Sequence, residues 1–163
     1  MNPNTIYDND VIYDGWKIRG PKRFRDKLIE HLQVFREETP LFYAMAQKKV
    51  KMFMMSKCIK KSWAFPAYGI IGFAPNDFEE SNGQHRTGWF FLAVIRETQH
   101  CAGGRDGSEA AACYAMYYYG SQTKGVRPDK DLLNYYKELA LIKGYTDTEW
   151  QDNLRRTAAF LNK

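Results

Sequence analysis

The sequence predicts an α+β fold in which helices pack on a small antiparallel sheet and the C-terminal third is helical. Apolar residues recur at helical spacing near both ends of the chain, in about 21–49 and 126–163. From about Val50 to Ile95, short aromatic and β-branched runs are separated by Gly and Pro, which is typical of strands and turns. With 163 residues, 44% of them hydrophobic, the chain can bury its own core, so we expect a single domain over 1–163.

The N-terminal part predicts an arm, a strand and two helices. Residues 1–14 are polar and prone to turns, and we expect a loosely docked arm. Trp16–Arg19 is a short strand candidate, and Gly20-Pro21 and Thr39-Pro40 each start a helix because Pro suits the first helical position. His31 belongs to the packing edge of the first helix rather than to a metal site. The apolar stripe of that helix consists of Phe24, Leu28, Leu32 and Phe35.

The middle of the chain predicts the sheet. We favour a strand from Val50, with its methionines as adaptable core residues. Pro66–Ala74 is the next strand candidate, and Pro75 ends it. Trp89–Ile95 would then return antiparallel to it because it is aromatic and β-branched. A buried helix is the alternative for Trp89–Ile95, since periodicity does not distinguish the two in a short continuous apolar run.

The C-terminal part predicts three helices. The first runs from about 108 to Gly120, with Asp106 and Glu109 spaced as in a capping box. Two more are expected at about 126–144 and 146–161. The last one is amphipathic, so it either docks on its own domain or binds a protein partner.

The net charge of +5 comes from one segment. No acidic residue lies between Glu38 and Asp77, and a localised positive field attracts phosphate-bearing partners. Phe53, Trp63 and Phe65 lie within or beside the segment and could stack on bases. One hypothesis is therefore a non-enzymatic accessory protein, of the kind viruses and phages encode, that binds nucleic acid or a nucleic-acid-handling partner. A solvated surface that keeps the protein soluble is the alternative. The lysines concerned are Lys48, Lys49, Lys51, Lys57, Lys60 and Lys61.

A glycine-rich hinge follows the apolar run, between about 98 and 107. If a strand precedes it and a helix follows, the helix N-terminus points free backbone N–H groups into the loop, where phosphate could bind. A plain turn is the alternative. The leading functional hypothesis is an intracellular binder of a phosphate-bearing ligand at this hinge. Its candidate binding residues are Gln99, Ala102, Gly103, Gly104 and Arg105.

One resemblance gives the hinge a specific ligand. Val94, four further residues and the run QHCAGG from Gln99 resemble the acetyl-CoA motif of the GNAT N-acetyltransferases, and the runs YGIIGFA and WFFLAV resemble that family's paired strands. The likeness covers about residues 66–120. It implies acyl transfer, acetyl-CoA as cofactor, and backbone amides of 99–104 around its pyrophosphate. The resemblance also implies that a tyrosine from Tyr117, Tyr118 and Tyr119, or a nearby carboxylate, handles the proton.

A second enzyme class is carried by Glu97. The segments LAVIRET and TDTEWQDNLRRTAAFL resemble pieces of phage-type muramidases, in which a glutamate that closes a buried helix acts as general acid. Glu97 would be that acid. The simpler interpretation is a charged residue that ends a strand.

The remaining composition excludes other chemistry. The three cysteines are widely spaced and form no CxxC pair, so the sequence favours a reducing, cytoplasmic setting. His85, His100, Cys101 and Cys113 match no standard zinc spacing, and we expect no metal. No apolar run reaches the length of a membrane span, so we expect no membrane association.

Overall fold

The computed structural model describes residues 9–79 and 87–163. These residues form a mixed α+β fold with a helical C-terminal part, so the predicted class is confirmed. The five strands are β1 (Val11–Tyr13), β2 (Trp16–Arg19), β3 (Met52–Met55), β4 (Trp63–Phe65) and β5 (Ile70–Phe73). The seven helices are α1 (Lys22–Glu38), α2 (Pro40–Lys49), α3 (Pro75–Phe78), α4 (Trp89–Ala102), α5 (Glu109–Gln122), α6 (Lys130–Ile142) and α7 (Asp147–Leu161).

The sheet has the order β1-β2-β3-β5-β4 and is mixed rather than antiparallel throughout. β2 pairs parallel with β3, and β3 pairs parallel with β5, whereas the two outer pairs are antiparallel. The parallel pairing of β2 and β3 follows from the α1–α2 crossover, because two helices carry the chain back to the end of the sheet where β2 began. The antiparallel neighbour of β5 is β4, which precedes it in the chain.

The N-terminal segment is more ordered than predicted within the described residues. Val11–Tyr13 is an edge strand, while residues 1–8 of the predicted arm lie outside the described part. Asp14 and Gly15 both have positive φ, at 49° and 91°, as a tight type I′ hairpin turn requires. Arg19 then fixes the hairpin by donating two 2.8 Å hydrogen bonds to Asp10.

The inner face of the sheet packs on α1 and α4. Phe24 from α1 and Phe90 from α4 meet Phe73 of β5, with ring centroids 5.9 and 5.2 Å from it. The predicted α1 stripe is buried, and His31 is buried with it, between Phe90 and Phe91. The predicted starts of α1 and α2 and the strands at 16–19, 52–55 and 70–73 are confirmed.

Trp89–Ile95 is the first half of helix α4, so the preferred strand prediction is wrong and the helix alternative is confirmed. The helix lies between the sheet and α5, and residues on every side of it are buried. A helix buried all round has no apolar stripe, and its aromatic and β-branched residues then imitate a strand. Length was the better signal, because 14 residues separate Gly88 from Gly103 without Gly or Pro.

The C-terminal helices begin near their predicted caps. Ser108 caps α5 by accepting a hydrogen bond from the N–H of Ala111, which replaces the predicted Asp106 cap. Asp129 caps α6 and Thr146 caps α7. Gly120 lies within α5 rather than at its predicted end. A Cβ at this position would come 2.8 Å from side-chain atoms of Leu92 and Leu133. This close approach packs α5 tightly against α4 and α6.

Candidate functional site: the outer sheet face and the hinge

Strand alternation gives the sheet two different faces. Phe53 and Ile71 point inward to the helices, so their partners Met52 and Ile70 point outward. The registers of β2, β4 and β5 continue this outward row through Lys17, Trp63 and Phe65. Among the described residues, no helix packs on this outer face, and the β3–β4 connection supplies its cover through Ile59.

Three aromatic side chains on the outer face form an open groove. Trp63 and Phe65 come from β4 and Tyr68 from the following turn; they are 36%, 49% and 56% exposed. The rings of Phe65 and Tyr68 stack with centroids 5.1 Å apart and planes 2° apart. Together with Ile70 they line a cavity of about 530 Å³. Exposed stacked rings of this kind are a platform for another flat group.

The groove borders the basic segment. Lys51, Lys57, Lys60 and Lys61 are all exposed. None of them forms an ion pair with a carboxylate in the described ranges 9–79 and 87–163. Asp77, the first acidic residue after the segment, is instead bound by Ser62 and Trp89 at 2.5 and 3.0 Å. The positive charge therefore faces solvent beside the aromatic groove.

Two local devices position the groove. The indole of Trp63 lies across Gly72, where an added Cβ would come 2.6 Å from the ring. The turn after Phe65 closes at Gly69, which has a φ of 67°. The missing side chain leaves room for the carbonyl of Lys49, which would lie 2.6 Å from a Cβ at this position. The turn thereby places Tyr68 over Phe65. Glycine is required at 69 because any side chain would meet backbone atoms.

The hinge is shorter than predicted, and its geometry differs from a strand–loop–helix motif. Gln99 and Ala102 are buried within α4 rather than exposed in a loop. The amide of Gln99 instead donates to the carbonyl of Asp106 at 2.9 Å. Because α4 precedes the loop, the arrangement on which the acetyl-CoA resemblance depends is not formed. Only Gly103, Gly104 and Arg105 of the candidate residues lie in the turn.

Two side chains of α4 bind the carboxylate of Glu109, the first residue of α5. Arg96 donates to both carboxylate oxygens of Glu109 at 3.0 Å, and His100 bonds the same carboxylate at 2.9 Å. The hydrogen bond from His100 lowers the pKa of Glu109 to about 2. Reciprocally, this bond raises the pKa of His100. At the α5 N-terminus itself, the Ser108 side chain accepts from the N–H of Ala111, one of the backbone groups that a phosphate was predicted to bind.

The lysine segment divides between two places in the fold. Lys48 and Lys49 close α2 and reach α7, where both ammonium groups lie 4.6 Å from the ring centroid of Phe160. Lys49 also lines a cavity of about 210 Å³ together with Gly103, Gly104 and Arg105. The structure thus brings the first part of the basic segment to the hinge, and the second part to the sheet face.

Glu97 and the tyrosine candidates do not meet at a cleft. Glu97 is 3% exposed in α4, and burial raises its pKa. One of its carboxylate oxygens has no hydrogen-bond partner. The tyrosines lie about 12 Å or more along α5 from its first residue, given 1.5 Å per residue. Tyr119 is buried against Phe42, and Lys137 lies over the ring of Tyr117.

One histidine and one cysteine meet at the Glu109 carboxylate, where His100 Nε2 and Cys113 Sγ lie 2.9 and 3.7 Å from its oxygens. Cys58 is exposed, whereas burial raises the pKa of Cys101 and of Cys113 to about 11. No cluster of three or more metal-ligating side chains occurs in the described part of the chain; His85 lies outside it. None of the helices described is both long and apolar enough to cross a bilayer.

Sequence reasoning named Phe53, Trp63 and Phe65 as stacking candidates and missed Tyr68. Trp63 and Phe65 are two residues apart and therefore on one face of a strand, whereas Phe53 is fully buried in the core and cannot stack on a ligand. β4 was not predicted because it has only three residues. The position of Tyr68 depends on a turn whose geometry could not be inferred before β3 and β5 were known to be neighbours.

In comparisons with known proteins, no family model, no curated protein and no solved structure matches the chain.

Proposed function

We propose that the protein binds phosphate-bearing ligands, and that the ligand of its outer sheet face is single-stranded nucleic acid. The observation that carries the proposal is the exposed groove of Trp63, Phe65 and Tyr68 beside exposed lysines. Proteins that hold single strands combine base–aromatic stacking with lysine–phosphate attraction. A duplex fits less well, because its bases are stacked internally and cannot reach the rings.

The role is binding rather than catalysis. The groove is lined by Trp63, Phe65, Tyr68 and Ile70. The Tyr68 hydroxyl is the one acid–base group among them, and no carboxylate, imidazole or thiol of the described residues lines the groove to activate it. Sequence specificity is expected to be low, since every base has a flat face on which an aromatic ring can stack.

The aromatic contribution is tested with a matched pair of tyrosines. Tyr68 and Tyr135 are each 56% exposed, but Tyr135 lies on α6, away from the groove. We expect Tyr68→Ala to weaken binding of a fluorescent oligothymidylate by about 1–3 kcal/mol, the value of one stacked base. Tyr135→Ala should leave it unchanged. Fluorescence anisotropy at low salt measures both, and equal affinities for the two variants would contradict the proposal.

The lysine contribution is tested through the salt dependence of binding. Replacing Lys57, Lys60 and Lys61 by Gln should reduce the slope of log K against log salt by about 2, since each phosphate contact on a single strand contributes about 0.7. The control replaces Lys124, Lys130 and Lys143, which are also exposed, and changes the net charge equally. If both triple variants lose the same slope, net charge rather than the sheet face accounts for binding.

A further inference from the structure

A second cavity lies where Lys49 of the basic segment meets the hinge. It is enclosed by the end of α2, the Gly103–Asp106 turn and the last turns of α7, and its volume is about 210 Å³. Its walls combine apolar surface from Met45, Ala102 and Phe160 with charged side chains. This mixture is typical of small-ligand sites, in which a few polar groups orient a partly apolar ligand.

The charged groups of the cavity are unbalanced. Lys49, Arg105 and Arg156 line it, and its single carboxylate, Asp106, already accepts two hydrogen bonds from Arg156 at 3.0 and 2.7 Å. The adjacent Lys48 already has a partner in α7, because its ammonium group donates a hydrogen bond to the carbonyl of Phe160 at 3.3 Å. Lys49 and Arg105 therefore remain as two cations without a carboxylate partner in the described part of the chain.

The turn leaves the cavity open at Gly104. This residue has a φ of 60°, and nothing lies within 4 Å of the position where its Cβ would be. Lys49 and Arg105 are both exposed, so two cations are accessible from solvent at one small cavity.

We infer that this cavity binds a phosphate monoester, with Lys49 and Arg105 as its principal contacts. A monoester carries a charge of about −1.5 to −2 at neutral pH, more than the single charge of a phosphodiester. Two unpaired cations therefore favour a terminal phosphate over an internal one. The apolar wall at Met45 and Phe160 accommodates the esterified group. This assignment stands independently of nucleic-acid binding at the sheet face.

Two sources of a terminal phosphate fit the geometry. One is a free small phosphate ester. The other is the phosphorylated end of a nucleic-acid strand that lies on the outer sheet face. Lys49 of the cavity is only two residues from Lys51, which lies beside the groove. Lys49 lines the cavity, and atoms of Lys49 and Lys51 lie 2.6 and 3.2 Å from the Cβ position of Gly69, the residue after Tyr68.

The probes are thymidine 5′-monophosphate with thymidine as its matched control, and an oligothymidylate with either a 5′-phosphate or a 5′-hydroxyl. Calorimetry on the full chain should give saturable heat with the monophosphate and none with thymidine. In the double variant Lys49→Gln/Arg105→Gln we expect a loss of at least about tenfold, because charge-assisted hydrogen bonds are removed. Lys124→Gln/Lys143→Gln, which has the same charge change, should retain binding. All four side chains are exposed, so both variants should fold.

Preference for the phosphorylated oligonucleotide, lost in Lys49→Gln/Arg105→Gln, assigns the site to strand ends. Equal affinity for both oligonucleotides, with monophosphate binding intact, assigns it to free esters. The inference is overturned if the monophosphate binds no better than thymidine, or if the double variant binds it unchanged. The hydroxyl-ended oligonucleotide reports on the sheet face alone: if it fails to bind while the monophosphate binds, the proposed function is wrong and the cavity assignment stands.

Discussion

The molecule carries one aromatic cluster on the outer face of its sheet and another between α5 and α7. In the inner cluster, Trp150 is fully buried, and the rings of Tyr114, Tyr118 and Tyr119 lie 5.1–5.6 Å from it. Tyr114 donates its hydroxyl hydrogen to Asp147. The outer cluster uses similar residues, but these are exposed and stand beside cations. Composition alone does not separate the two, whereas exposure and charge pairing do.

The largest expected difference between the clusters is in stability. Trp150→Ala should lower the free energy of unfolding by about 3–5 kcal/mol, as for other buried aromatic truncations. Trp63→Ala removes a ring that is already 36% exposed and should cost far less, while weakening oligonucleotide binding. Urea denaturation followed by circular dichroism measures the first effect and anisotropy the second. Comparable destabilisation by both substitutions would remove the distinction between a packing cluster and a binding surface.

The helical side should also respond to acid in a way that the sheet face does not. Burial, with a smaller contribution from Lys27, lowers the pKa of His31 to about 3, and neither ring nitrogen has a hydrogen-bond partner. Below about pH 6.5, His31 binds a proton in the unfolded chain but not in the folded chain. The free energy of unfolding therefore falls as pH falls from 6.5 towards 3. The slope is roughly 1.4 kcal/mol per pH unit, or about 3 kcal/mol by pH 4.

His31→Leu should remove that part of the acid sensitivity, with the surface substitution Tyr135→Ala as the control that retains it. Denaturant midpoints at several pH values measure the slope for each protein. The interpretation fails if His31→Leu loses stability in acid as steeply as the unsubstituted protein.

The smallest expected effect lies on the sheet face itself. Gly72→Val places side-chain atoms where the Trp63 indole lies and should displace the ring outward. Stability should change little, since Val suits a strand better than Gly and the displaced ring is at the surface. Oligonucleotide affinity should fall by roughly 1 kcal/mol, less than one full stacking contribution. Anisotropy and thermal unfolding together check this, and unchanged affinity would show that the orientation of Trp63 is immaterial.

The sequence predicted the elements whose signals are local. The helix expected at about 146–161 is α7, which Thr146 caps, and the Phe24 to Phe35 stripe marked the buried side of α1; both are confirmed. Of the two roles expected for the last helix, docking on its own domain is observed, since Trp150 packs α7 against α5; binding of a protein partner stays a prediction. The methionines near β3 are buried as core residues, also as predicted.

The errors arose where neighbours in space decide the structure. Trp89–Ile95 is a helix because tertiary packing surrounds it, a condition that no single segment reveals. The hinge differs from the predicted strand–loop–helix because α4 precedes it, and Arg96 and His100 of α4 hold Glu109 in the first turn of α5. The sheet groove depended on the pairing of β4 with β5, which brings Tyr68 beside Phe65.

The small network around Asp77 has a consequence for the thermodynamics of binding. Ser62 immediately precedes β4, and its hydroxyl joins Asp77 and the N–H of Ala74, while Asp77 also accepts from the indole of Trp89 in α4. The edge strand that carries the aromatic platform is thereby tied to the central helix before any ligand arrives. A platform preorganised in this way loses little conformational entropy on association, so more of the stacking energy is retained as affinity.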